Sequence, residues 1–243
     1  MKPNINALII GISLILISLI FSGTYKYKFK DAENITVTGL AEKNFTSNLI
    51  VWKGDYSRKS PDLKSAYSLL KEDEAAVSAY LKGKGISDSE VLFSSVDITK
   101  DYAKTYDAHG IITGSKLEGY SLKQSISVKS TDIDKIEKVS REITELIQKG
   151  IEMNSMPPSY YYTNLSALKI DLLAKASADA KSRAETIAKN SGSQLGKIKQ
   201  ATMGVFQITG ENDNESYAGG GTLNTTSRNK TASITIRIDY AVE

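Results

Sequence analysis

The chain has 243 residues, with 31 Lys plus Arg, 28 Asp plus Glu, one His and no Cys, giving a formal charge of +3 at pH 7. Hydrophobic residues make up 40% and charged residues 24%, globular proportions that exclude disorder, collagen and low-complexity polymers as the main state. The absence of Cys excludes a disulfide scaffold, a thiol nucleophile and thiolate zinc sites. A lone His leaves no His-rich metal site, and so mild a charge does not argue for nucleic acid.

Residues 7–21 carry no charge and are dominated by Ile and Leu. Extended by two residues at each end, the run gives about 19 residues, or roughly 28 Å of helix, enough to cross a hydrocarbon core. Lys2 precedes it as a short basic region, but the small residues of a cleavage site are missing, since Ile20 and Phe21 stand where they belong. An uncleaved signal anchor is therefore expected over residues 1–30, with removal as a cleaved signal as the alternative. Lys26, Lys28 and Lys30 follow, either as a solvated tether or beside anionic headgroups.

The remaining 31–243 is long enough for one large domain or two lobes. Segments 33–44 and 45–60 alternate apolar and polar residues like half-buried strands. Ser60 and Pro61 read as a helix start, with Leu63, Ala66, Leu70, Val77 and Leu81 on one face until Gly83 and Gly85. Strands are expected over 90–102 and 116–130, with a loop holding His109, Gly110 and Gly114 between them. Thr131 with Asp134 resembles a capping box before a helix that carries Ile133, Ile136, Val139, Ile143 and Leu146 and ends at Gly150.

Pro157 and Pro158 keep 151–164 extended. Asn164 caps the longest predicted helix, whose Leu165, Leu168, Leu172, Ala176, Ala180, Ala184 and Ile187 make one stripe before Gly192 and Gly196. Its small Ala side chains predict close packing on the sheet. The last strands fall in 193–208 and 228–243, separated by a polar loop at 209–227 that is expected to be flexible. The order implies an α+β fold in which mainly antiparallel sheets, built from hairpin-like strand pairs, carry helices on one face.

Tests for chemistry give no catalytic, cofactor or metal residues. The segment 192–197, GSQLGK, misses the phosphate-loop spacing and follows a helix, so it reads as a helix stop. Gly219, Gly220 and Gly221 could wrap an anion but lack a strand-to-helix context. Asp107 stands two residues before His109, where it could orient the imidazole as a base, yet no nucleophile pattern accompanies them. Glu211, Asp213 and Glu215 read as a solvated acidic loop, or a cation site without the calcium-loop pattern. Tyr160, Tyr161 and Tyr162 read as sheet packing or an interface. Asn-x-Ser/Thr sequons, as at Asn34 and Asn229, would matter only in a eukaryotic secretory setting.

The segments ITVTGLAEKN, KLEGYSLKQSISVKSTDIDKIEKV and ASITIRIDYAVE, and the Ala-rich helix with Ala176, Asp179, Ala180, Arg183, Ala184 and Ala188, resemble the SIMPL-domain family. That family includes bacterial periplasmic immunogenic proteins and proteins associated with oxidative-stress defence. The resemblance spans about 33–243, and Gly119-Tyr120 upstream of the ordered helix residues adds to it. It implies an α+β fold, an extracytoplasmic location, self-assembly into a homo-oligomer and no catalytic motif. With the anchor, it implies a non-enzymatic protein of the inner membrane, its C-terminal domain in the periplasm, acting through protein interaction. A ligand- or cation-binding module is the alternative, followed by an enzyme whose site is built from carboxylates scattered along the chain.

Overall fold

The computed structural model describes residues 5–30, 34–213 and 219–243. Helix α1, Ile5–Lys30, leaves the described side chains of residues 12–25 exposed on every side, Leu16, Ile20 and Phe21 among them. Among the described residues no helix is long and apolar enough to cross a membrane. The span expected over 7–21 begins at residues whose side chains lie outside those described.

After α1 come β1 (Asn34–Thr46), β2 (Leu49–Ser60), α2 (Leu63–Gly83), β3 (Val91–Tyr106), β4 (Ile112–Ser130) and α3 (Ile133–Glu142). Next are β5 (Met153–Ser155), β6 (Ser159–Tyr161), α4 (Leu165–Asn190), β7 (Leu195–Met203), β8 (Gln207–Gly210) and β9 (Asn229–Val242). They build two sheets, one in the order β1-β9-β7 with β8 also on β9, the other β3-β4-β2-β5 with β6 also on β2. Every pairing between these strands is antiparallel. The fold is α+β.

One hairpin expectation fails. β1 and β2 are consecutive but do not pair: β1 joins β9 and β2 joins β4. The cause lies in the two linking residues. Ser47 N–H donates to Arg228 O of the first sheet at 2.9 Å, and Asn48 N–H to Tyr161 O of the second at 3.0 Å. Each link residue is thus tied to a different sheet.

Each sheet buries one face under helix. On the first, Leu168, Leu172, Ala176, Ala180 and Ala184 of α4 pack with Val37, Ile234, Ile236 and Ile238. Gly39 is where this contact is tightest, for a Cβ built there would lie 2.1 Å from Ala176 O and 2.8 Å from Ala180 Cβ. The stripe ends on buried Ala188, while Ile187, expected within it, is exposed. On the second sheet, Leu70 and Val77 of α2 and Ile136 and Val139 of α3 cover Trp52, Tyr56, Leu122 and Ile126.

Two helix starts also differ from expectation. The α2 cap is Asp62, which accepts from Ser65 N–H at 2.8 Å, while the Ser60 hydroxyl accepts from Asp62 N–H. The α3 cap is Asp132, accepting from Lys135 N–H at 3.2 Å. In both cases an Asp closer to the first turn supplies a charged acceptor to the free amides, a stronger cap than the upstream hydroxyl. Beyond Glu142 the chain tightens into a 3-10 helix, Ile143–Lys149, and stops at Gly150.

β3 and β4 are longer than predicted. β2 pairs with β4 only from Tyr120 to Ser130, so the rest of β4 pairs with β3 alone. The result is a two-stranded arm that projects beyond the second sheet. In the stretch expected as a loop at 209–227, β8 takes the first residues, Leu223 bridges to Ile208, and Asn224 is buried.

Candidate functional site

The pair Asp107 and His109 sits at the tip of the arm. Asp107 Oδ1 accepts from His109 N–H at 2.8 Å and from Ile111 N–H at 2.9 Å. The carboxylate therefore holds the turn's backbone, an Asx-turn arrangement, and Gly110 completes the bend with φ 77°. The His109 side chain is exposed. The 192–197 segment is a helix stop, since Gly192 has φ 75° and Ser193 N–H returns to Ala188 O at 3.0 Å.

Of the acidic loop residues, Glu211 accepts from Asn44 Nδ2 at 3.1 Å, Asp213 is exposed, and Glu215 lies outside the described residues. Gly219 and Gly220 are exposed, and Gly221 turns with φ 95° beside Val205 and Phe206. Among the described residues no group of three or more His, Asp and Glu is placed to hold a metal ion.

The tyrosine run occupies the junction between the two sheets. Tyr160 and Tyr162 are half-buried and Tyr161 is exposed, as alternation on a strand requires. Tyr160 packs against the core of the second sheet, and Tyr162 against that of the first. The Tyr162 ring meets Phe45 edge-on with centroids 4.9 Å apart, the geometry that aromatic quadrupoles favour. The Tyr160 hydroxyl donates to Glu137 Oε1 at 2.9 Å. Burial, reinforced by that carboxylate, pushes the phenol up to about 12.

Charge crosses the same junction. Arg228, just before β9, donates to Asp134 of α3 at 2.5 Å and lies 3.7 Å from Glu137. The hydrogen bond to Asp134 raises the guanidinium further above its ordinary value. Buried Lys230 donates to Asn224 O at 2.6 Å and to Asn224 Oδ1 at 3.2 Å. The arrangement fastens the sheets around a small cavity of about 40 Å³, lined by Phe45, the three tyrosines, Asn224 and Lys230 among others.

A second polar cluster escaped the sequence reading because its members lie far apart along the chain. Arg58 of β2 makes a two-pronged pair with buried Asp73 of α2, at 2.5 and 2.7 Å. Beside it the Tyr56 hydroxyl donates to Gln124 at 2.7 Å, and Gln124 Nε2 donates to Ser94 O at 3.0 Å. Burial first, then Glu74 and Asp73, pushes the Tyr56 phenol up. These bonds satisfy groups that burial would otherwise penalise.

Larger clefts open elsewhere among the described residues. One of about 580 Å³ lies between β1 and α4, lined by Thr36, Thr38, Ser182 and Arg183. Arg183 is engaged there by Asp179, whose Oδ2 also accepts from Leu40 N–H at 2.9 Å. Another, of about 410 Å³, lies at the root of the arm beside Lys59, Asp101 and Tyr120. The third, of about 490 Å³, includes Leu40, Glu42, Val205 and Ser233.

The arm also exposes apolar side chains that the sequence reading did not single out. Tyr102, Tyr106, Ile111, Ile112 and Leu117 leave 42–64% of their surface in water. Their signal was an apolar residue at each side of the His109-Gly110 turn.

A family model described as SIMPL, protein of unknown function (DUF541), matches residues 35–240. The chain belongs to the SIMPL family. The match takes in both sheets, all helices after α1, the arm and the tyrosine junction. No curated protein matches this SIMPL chain. A family of unknown function brings no reaction and no site residues to it.

Proposed function

We propose that this SIMPL protein is a non-enzymatic envelope protein, anchored in the inner membrane through α1, with its sheets in the periplasm, acting through assembly with other copies. The observation that supports the anchor is the exposed apolar surface of the described part of α1, which the uncharged sequence run from Ala7 to Ile10 extends towards the length of a span. Its described side chains are exposed all round the helix, and Ile15, Leu16, Ile17, Leu19, Ile20 and Phe21 show no polar face. In water such a surface is costly at about 25 cal/mol per Å² of apolar area, and a helix apolar on every side belongs in a core or a bilayer. The exposed apolar arm supports the assembly half of the reading.

Fractionation of the native host tests the anchor. The chain should stay with membranes through high salt and alkali and leave them only in detergent. Protease added to spheroplasts should digest the 34–243 region. Release by salt, or protection of that region from protease, overturns the anchored, extracytoplasmic reading.

A further inference from the structure

β3 is an edge strand: among the described residues β4 is its one partner, and its other side is open. Exposed edges are templates for pairing, and proteins blunt them with bulges, Pro, charges or a covering element. Between Val96 and Tyr106 the β3 strand has none of the structural devices. Its register shifts at Asp101/Tyr102 and Thr105/Tyr106 place the extra residues, Glu118 and Thr113, on β4. There is no Pro in the strand. Charge is the device that remains, and it is mixed: Asp97, Lys100, Asp101 and Lys104. In the arm proper, two strands stand without a third, a unit marginal in water until more strands or a packed face join it.

The geometry points to a second copy of this chain as the missing partner, with β3 pairing antiparallel to β3 about a twofold axis at Ala103. This rests on the proposed self-assembly and names its surface. A twofold axis normal to a sheet keeps the faces of both strands, so one residue must sit opposite its own copy. Charge then selects which one. Centring on Thr99 sets Asp97 against Asp101. Centring on Tyr102 sets Lys100 against Lys104. Centring on Lys100, Asp101 or Lys104 sets that charge against itself, and like charges directly opposite are destabilising.

Centring on Ile98 drives the pairing into the irregularity between Phe93 and Val96. Centring on Thr105 leaves a stub, because the strand ends at Tyr106. Ala103 avoids all of these. It sets Lys104 against Tyr102 and Lys100 against Tyr106, pairs of ammonium and aromatic ring that attract. It also sets Asp101 against the Thr105 hydroxyl. The two arms become one four-stranded sheet, which meets the need for more than two strands.

The chain has no Cys, so a single introduced thiol reports the register. Opposed Cα atoms in an antiparallel pair lie roughly 4.5–5.5 Å apart, within the span a disulfide needs. Under mild oxidation of the detergent-solubilised full chain, Ala103→Cys should run mainly as a disulfide-linked dimer. Thr99→Cys should not, because its copies would lie about eight residues apart along the strand, roughly 27 Å. Tyr102→Lys, at an exposed position, sets an ammonium opposite Lys104 across the axis, and should leave folding intact by circular dichroism and lower the native mass. An assembled wild type whose Ala103→Cys variant stays uncrosslinked, or whose Thr99→Cys variant crosslinks as well, overturns this interface and leaves self-assembly standing. A monomeric wild type overturns both.

Discussion

At Gly39 a single hydrogen atom decides how near α4 can lie to β1. A methyl group in its place would sit 2.1 Å from Ala176 O and 2.6 Å from Ala180 N, closer than real carbon contacts come. Backbone atoms cannot swing aside as a side-chain tip can, so strand and helix must part. Gly39→Ala should cost about 1–3 kcal/mol, as overpacking does, read as a lower denaturant midpoint at unchanged slope. The Arg58–Asp73 pair decides a different local balance. Asp73 is buried, whereas 29% of the Arg58 side chain reaches water. Asp73→Ala strands a guanidinium that solvent can partly reach. The loss should be about 2–3 kcal/mol, below the roughly 3–5 kcal/mol of a fully buried pair. Thermal unfolding of Asp73→Ala checks this, and a change within about 0.5 kcal/mol would class the pair with ordinary surface charges.

At the scale of elements, the α4 stripe was legible because periodicity and residue size agree. Leu168, Leu172, Ala176, Ala180 and Ala184 recur at four-residue steps, and all are buried. Filling the same contact from the helix side, Ala180→Leu should cost about 1–3 kcal/mol. Combined with Gly39→Ala, it should cost less than the sum, since either change alone already separates the pair. A fully additive double mutant in chemical denaturation would sink the shared-contact account. The strands were legible by alternation but their partners were not. Nothing in the 33–44 and 45–60 patterns says that the chain changes sheets at Ser47 and Asn48, because that choice rests on Arg228 and Tyr161, residues distant in sequence. The arm was underestimated for a related reason. Strand ends are read from the loss of alternating burial, and an arm exposed on both faces carries no such signal. The Arg58–Asp73 pair was hidden because its members stand 15 residues apart on a strand and a helix, whereas the loop at His109 and Gly110 was readable from adjacent residues.

At the scale of the whole molecule, two separate cores must be held as one body, and the tyrosine junction does much of that work. Tyr160 reaches Glu137, Tyr162 meets Phe45, and Arg228 reaches Asp134. The Tyr160 phenol titrates near 10 in an unfolded chain, but burial first and Glu137 second push it up to about 12 in the fold. The folded protein therefore binds this proton more tightly than the unfolded chain. The resulting stabilisation is fully present below pH about 10 and is lost as pH rises towards 12. Tyr160→Phe should lower stability at pH 7 by about 1 kcal/mol, the net worth of an ordinary hydrogen bond. It should also make the fall in stability across that alkaline window shallower than in the wild type. Tyr56 and Tyr80, whose phenols burial likewise raises, remain in both proteins and contribute a common slope. The difference between the two denaturation curves, measured from pH 8 to 12, isolates the junction. Parallel curves over that range would mean that Tyr160 keeps its proton no more tightly in the fold than outside it, and that the two cores are held together by their strands and the Arg228 ion pairs instead.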